Sequence, residues 1–356
     1  MNFELTEERQ MLQDTLRRYL SDKYTTATRN EILNSDTGQS ADIWAELAEL
    51  GVIGALFTEE QGGFGGTGFD LAVVFEELGR AGVVEPFLDS GLMAGRLLAA
   101  ADREDLVEQV ISGSLQLAVA HGEPGGRYDL DHVTTTATDG NLTGRKAVVV
   151  NAEAADHLIV SAQDGDGIGL YLVDRGASGL NIQGYPLLAG GRAGEVTLDN
   201  TPSTALNIGL AALQDINALA IVAQTAETLG AMESATALTK DYLGTRQQFG
   251  RPIATFQALA HRMSDLLIEL EQARSAVINA AGYLDTSDRD LTLSATKNLI
   301  GRVGRLVAEE AIQMHGGIAM TQEYELAHIA KRIVMADHRF GDTDYHLERF
   351  IALSAA

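Results

Sequence analysis

The hydrophobic period of this chain changes twice, and that double change limits the possible folds more than any other feature. Up to about residue 113 apolar residues recur at helical spacing. Thr6 followed by Glu7 and Glu8 predicts a helix start, with a hydroxyl cap and acids at the positive end of the dipole. Met11, Leu12, Leu16, Tyr19 and Leu20 then share one stripe. A helix around Trp44, Leu47 and Leu50 stops at Gly51, and DLAVVFEELGRAG (70–82) is another helix closed by glycine. From residue 114 the pattern becomes short β-branched runs such as LQLAVAHG, VTTTATDG, NLTGRKAVVVN, ADHLIVSAQ, GIGLYLVD and AGEVTLDN. Asp-Gly and Gly-Asn turn signals separate several of them, which predicts an antiparallel β domain over 114–208. Three long helical segments follow from 209 to 356, joined by short connections that suggest an antiparallel bundle.

Composition narrows the function classes. The 356 residues are 45% hydrophobic, enough for two or three packed units. No apolar run reaches the roughly 18 residues that a membrane span requires. Fifty acidic residues against 26 basic give a net charge of −24, which repels polyanions and argues against nucleic-acid binding. A phosphate-bearing ligand must therefore be held by a few local donors. The chain has no cysteine, so it has neither a thiolate metal site nor a cysteine nucleophile. The acidic start MNFELTEERQ is unlike a secretory signal, and the expected location is the cytoplasm.

Two segments carry the chemistry. In RQQFGRPIATFQALAHRMSD (246–265), Arg246 stands at a helix end before a Phe-Gly turn, where a guanidinium can grip a pyrophosphate bidentately. In AIQMHGGIAMTQEYELAHIAKR (311–332), Gln313, Gly316 and Gly317 end a helix where absent side chains let a ligand approach backbone N–H groups. The bland alternatives are a surface ion pair for Arg246 and a simple helix cap for the glycines. The glycine-rich TEEQGGFGG lacks the Lys-Ser/Thr of a P-loop and reads as a structural turn. The acids and histidines of DHRFGDTDYH (337–346) lack metal-ligand spacing and read as a solvated helix start capped by Asp342 or Asp344.

Both segments resemble the C-terminal signatures of the acyl-CoA dehydrogenases, and the helical, β, helical layout is similar to that family over the whole chain. MNFELTEERQ, GEPGGRYDL and FGDTDYHLERF look most like the pimeloyl-CoA dehydrogenase small-subunit-like branch. The resemblance implies a mainly α fold with a helical domain (1–113), a β-barrel-like domain (114–208) and a C-terminal four-helix bundle (209–356). It implies FAD as cofactor, an acyl-CoA substrate, an electron-transfer acceptor, and FAD contacts from Arg246, Gln248, Phe249, Gln257, Gln313, Gly316 and Gly317. In the family this arginine and the Gln-x-x-Gly-Gly turn reach the FAD of a neighbouring subunit.

The resemblance also exposes gaps. Abstraction of the weakly acidic proton beside the thioester needs a desolvated carboxylate. One family position for that glutamate falls here on Phe340 and the other on Ala220. Asp342 lies two residues past the first, and Glu227 lies two helical turns, about 11 Å, beyond the second. Both read better as structural carboxylates, which leaves the catalytic base unassigned. The family's flavin cradle appears as GEPGGRY (122–128), with Gly122 for threonine and Tyr128 for serine, and its Trp-Ile-Thr falls on Val148-Val149-Val150. The expected role is the supporting subunit of a heteromeric acyl-CoA dehydrogenase. The rivals are a self-sufficient homotetramer using Glu227 or Asp342, and a non-enzymatic acyl-CoA-binding homologue.

Overall fold

Helix α1 (Glu7–Lys23) begins where its cap predicts: the Arg9 amide donates to Thr6 Oγ1, and Glu7 and Glu8 fill the first turn. The computed structural model describes residues 5–165 and 167–355. Leu16 and Leu20 of the α1 stripe are buried, whereas Met11 faces solvent at 67% exposure, because the packed stripe runs along the later turns only. Next come α2 (Thr26–Leu33), α3 (Ala41–Glu49) and α4 (Gly68–Ala81). A π-helical stretch, Phe87–Ala94, leads into α5 (Gly95–Ala100), and α6 (Glu104–Ile111) follows. Trp44 of α3 is buried, stacks on Phe87 at 4.7 Å and donates to Gly113 O at 2.9 Å. The 58–68 loop folds back on the turn before it, with Gly65 N donating to Phe57 O at 2.9 Å, as expected of a structural turn.

Eight strands form one sheet: β1 (Leu117–Ala120), β2 (Thr136–Thr138), β3 (Asn141–Val150), β4 (His157–Asp164), β5 (Gly167–Asp174), β6 (Leu180–Pro186), β7 (Arg192–Pro202) and β8 (Thr204–Gly209). Their order is β6-β7-β3-β2-β4-β5-β8, with β1 also on β4. The sheet is antiparallel except that β1 and β2 both run parallel to β4. Pattern reading missed β6 and β8. β6 carries polar residues and a glycine, and its register comes from pairing with β7. Leu158 to Ala162 of β4 are buried on both faces, the mark of a central strand.

Helix α7 (Leu210–Thr245) is 36 residues long, and every residue from Ala218 to Glu233 is buried, as for a helix apolar around its whole circumference. A two-stranded hairpin, β9 (Gln247–Gln248) and β10 (Arg251–Pro252), separates it from α8 (Gln257–Tyr283). Then come α9 (Arg289–His315), a 3₁₀ turn (Gly316–Met320), α10 (Glu325–Ala336) and α11 (Thr343–Ser354). On α8, Leu266 and Leu270 face the core while Leu267 is 45% exposed.

The chain forms two compact units. One joins the chain up to Asn30, Gly68–Val83 and the chain from Ile221 onward; the other joins Glu31–Thr67 and Val84–Ala220. Residues 1–113 are thus divided between both units. In the first unit α4 and α7 cross with their backbones in contact: a Cβ on Gly79 would strike Glu227 O, and one on Gly230 would strike Glu76 O. Among the described residues no helix is long and apolar enough to cross a membrane.

Candidate active site

The first unit gathers one set of sequence-selected residues at a single end of its helices. Arg262, early in α8, pairs with Glu310, late in α9, at 2.6 Å. Thr296, early in α9, donates to Ala276 O, late in α8, at 3.1 Å, so the two helices are antiparallel. Tyr242, in the last turn of α7, stacks on His315, the last residue of α9, at 4.5 Å. The ends of α7 and α9 and the start of α8 therefore share one end of the unit. Arg246, Gln248, Phe249, Gln257, Gln313, Gly316 and Gly317 all lie there, and all are exposed.

Their details differ from a passive surface. Arg246 pairs with no carboxylate among the described residues, although the chain has nearly two acids per basic residue. Phe249 is 90% exposed, and Phe249 and Gly250 both have positive φ, 54° and 75°, in a two-residue hairpin turn. Phenylalanine is costly in that conformation, and only an edge contact with Phe256 at 6.0 Å repays any of it inside the chain. Arg251, which pattern reading did not select, covers the other ring position, 4.3 Å from the Phe256 centroid. Gly316 ends α9 at φ 71° and ψ −148°, a conformation reserved for glycine. Gly317 has open space around its missing side chain, so nothing within the chain requires glycine there. An exposed guanidinium, three side-chain amides and an uncovered glycine turn suit the pyrophosphate of a dinucleotide such as FAD.

Ala220 and Phe340, the two residues on which the expected glutamate positions fall, lie in the first unit or at its boundary. Ala220 is fully buried in α7. Phe340 holds φ 58° in the turn between α10 and α11 and lies under Arg339 at 4.9 Å. Buried His346 Nε2 donates to Phe340 O at 2.8 Å, and buried Lys297 Nζ caps α10 on Ala336 O at 3.0 Å and Asp337 O at 3.2 Å. The Glu227 carboxylate is gripped by Arg332 of α10. Asp342 caps α11, its Oδ1 accepting from Tyr345 N at 2.9 Å. Of the 337–346 cluster, Asp337 accepts from Thr343 Oγ1 at 3.0 Å, while His338 and Asp344 are exposed.

The second unit holds GEPGGRY (122–128) and Val148–Val150. Glu123 of GEPGGRY is buried and accepts from Thr134 N (2.7 Å), Thr134 Oγ1, Thr135 N (3.0 Å), Thr135 Oγ1 (2.6 Å) and Lys146 Nζ (2.6 Å). Burial pushes its pKa upward, but the hydrogen bonds from Lys146 and the two threonines outweigh burial and hold it at about 2. Lys146 also reaches Ser161 Oγ at 2.9 Å, which in turn meets His121 Nδ1 at 2.9 Å. This cluster escaped pattern reading, although a lysine inside the strand RKAVVV was its signal. Val148 is 57% exposed at φ 53°, in an irregularity of the β3–β7 pairing between Lys146 and Val149. Val149 and Val150 pair with Gly194 and Ala193 of β7.

Comparison with known proteins agrees with this layout. Residues 6–111 match the acyl-CoA dehydrogenase N-terminal domain and residues 215–352 the acyl-CoA dehydrogenase C-terminal domain. Acyl-CoA dehydrogenase IpdE2 of Mycobacterium tuberculosis is 32% identical over 330 residues, covering 92% of this chain and 91% of its own. A chain of the Tcur3481–Tcur3483 steroid ACAD superposes with a TM-score of 0.90 at 32% identity, covering 98% of each chain. The ChsE4–ChsE5 complex from Mycobacterium tuberculosis gives a TM-score of 0.91 at 24% identity, over 100% of this chain and 99% of that one, a likeness of fold. With helical termini around a mostly antiparallel sheet and both terminal signatures in register, the chain belongs to the acyl-CoA dehydrogenase family.

Proposed function

We propose that this acyl-CoA dehydrogenase, whose family cofactor is FAD, works as the supporting subunit of a heteromeric enzyme. The enzyme performs α,β-dehydrogenation of an acyl-CoA thioester, and a homologous partner supplies the proton-abstracting glutamate. The observation that carries this reading is a contrast. The end of the first unit offers an uncompensated Arg246 and an exposed, conformationally costly Phe249, while Phe340 and Ala220 stand at both glutamate positions. Glu227 and Asp342 are engaged by Arg332 and by the α11 amides, which weighs against a relocated base.

In this reading Arg246 grips the pyrophosphate of a flavin held mainly by the partner. Gln248, Gln257 and Gln313 donate amide hydrogen bonds beside it, and Gly316 and Gly317 expose backbone N–H groups. A bound FAD would supply the acceptor for the hydride leaving the carbon β to the thioester. Phe249 excludes water from the flavin edge it covers. Two relatives whose names give paired chains or a steroid enzyme support a heteromer acting on a bulky, ring-bearing acyl group.

The test is co-expression with a homologue that carries the glutamate. Flavin per chain and dye reduction by acyl-CoA are measured for the complex, for this chain alone, and for the complex with Arg246→Ala. Turnover by the chain alone should be lower by roughly 10²–10⁴-fold, the usual cost of lacking a general base. Arg246→Ala should release FAD from the complex without separating the subunits, because helix burial holds them together. One FAD per chain and full turnover in the homomeric protein would overturn the proposal.

A further inference from the structure

In the first unit a cavity of about 380 Å³ lies among α1, α2, α4, α7 and α10. Four elements each send one arginine to its wall: Arg17, Arg29, Arg80 and Arg332. Two carboxylates, Glu77 and Glu325, share that wall, and Glu76, Glu227 and Glu233 pair with Arg80 and Arg332 from outside it.

The arginines are held by hydrogen bonds within the chain. Arg17 grips buried Glu77 through Nε at 2.9 Å and Nη2 at 2.6 Å. Arg80 binds Glu76 at 2.8 Å and contacts Glu77 and Glu233. Arg332 binds Glu227 through Nη2. Arg29 is 7% exposed and donates from Nε to Gly82 O at 3.0 Å. A guanidinium carries more N–H donors than one carboxylate consumes. On Arg17, Arg80 and Arg332 the Nη1 groups hydrogen-bond to nothing among the described residues. The contacting helices α4 and α7, locked at Gly79 and Gly230, fix Arg80, Glu227 and Glu233 in place. Donors preset in this way lose little entropy on meeting an oxyanion. Thr26 and Ser234 add hydroxyl groups to the same wall.

We propose that this cavity is a binding site for a small oxyanion, the phosphate or carboxylate group of a small metabolite, held by Arg17, Arg80 and Arg332. It ties α1, α4 and α10 together when filled, at a distance in sequence from every residue of the flavin end. The volume exceeds that of a bare phosphate and leaves room for a small organic body.

Titration calorimetry on the full chain, at constant ionic strength set with chloride, tests this with inorganic phosphate in one arm and succinate in the other. Saturable binding of either probe is expected, and the arm that binds identifies the source of the anionic group. Arg332→Gln should weaken it at least tenfold. Ser234→Leu, which fills the cavity without changing any charge, should do the same and covers the case in which the arginine variant fails to fold. No saturable heat with either probe, or binding unchanged in a folded Ser234→Leu variant, would overturn the proposal.

Discussion

Replacing Glu123 by glutamine changes one buried atom and should unlock the β-rich unit. The carboxylate takes five donors, from Thr134 N, Thr134 Oγ1, Thr135 N, Thr135 Oγ1 and Lys146 Nζ. An amide group at that position can accept on one side only, so its NH₂ must face either the Thr134 pair or the Thr135–Lys146 group. At least one buried N–H then loses its acceptor, at about 1–3 kcal/mol. The larger loss is electrostatic, because the side chain of Lys146 is 0% exposed and, without its counter-ion, must either stay buried as a bare charge or give up its proton. Breaking such a pair from one side costs about 3–5 kcal/mol. Against a total stability of about 5–15 kcal/mol this is a large fraction. Lys146→Met removes the stranded charge and leaves Glu123 its four threonine donors, so it should cost less. The double variant should cost less than the sum of the two by about 1–3 kcal/mol. Urea unfolding followed by the single tryptophan measures this, because Trp44 lies in the same compact unit as Glu123. A loss below about 1 kcal/mol for Glu123→Gln, or strict additivity in the cycle, would refute the reasoning.

Val148→Asn should raise stability by about 1 kcal/mol, since asparagine tolerates the left-handed conformation and the exposed valine buries little; unchanged unfolding would mean that Val148 is not strained. Phe249→Asn should stabilise the free chain, because Asn-Gly suits a two-residue turn with positive φ, yet it should lower flavin retention in the heteromeric complex. Both quantities moving in the same direction would count against an external role for Phe249. Glu227→Gln should weaken the α7–α10 tie by about 1–3 kcal/mol in thermal unfolding and leave turnover of the complex unchanged; abolished turnover in folded protein would make Glu227 the base. Stability should fall as pH drops from 6.5 to 4. Burial holds His121 and His346 at about 4 in the fold, against 6.5 unfolded, so the unfolded chain takes up protons first. Glu123, held at about 2 against 4.5, adds a further loss between pH 4.5 and 2 that Glu123→Gln should remove.

The grouping of Arg246 with the Gln313–Gly317 turn was legible only through the family resemblance, whereas the order of helical and β segments and the caps at Thr6 and Asp342 were legible in the residues themselves. Each depends on contacts within a few residues or on a hydrophobic period, and those interactions are written along the chain. Periodicity could not reveal β6 and β8, whose polar residues become strands only by pairing with β7 and β5. The parallel pairing of β1 and β2 with β4 was hidden for the same reason. Nor could spacing decide the role of Glu227. A glutamate on a buried helix is equally compatible with a base and a brace, and only the tertiary structure brings Arg332, 105 residues away, against it. The same holds for Glu123 with Lys146 and for the arginine-lined cavity. Local sequence sets propensity and pattern, but the state of a buried charge depends on which distant partner the fold brings within about 3 Å.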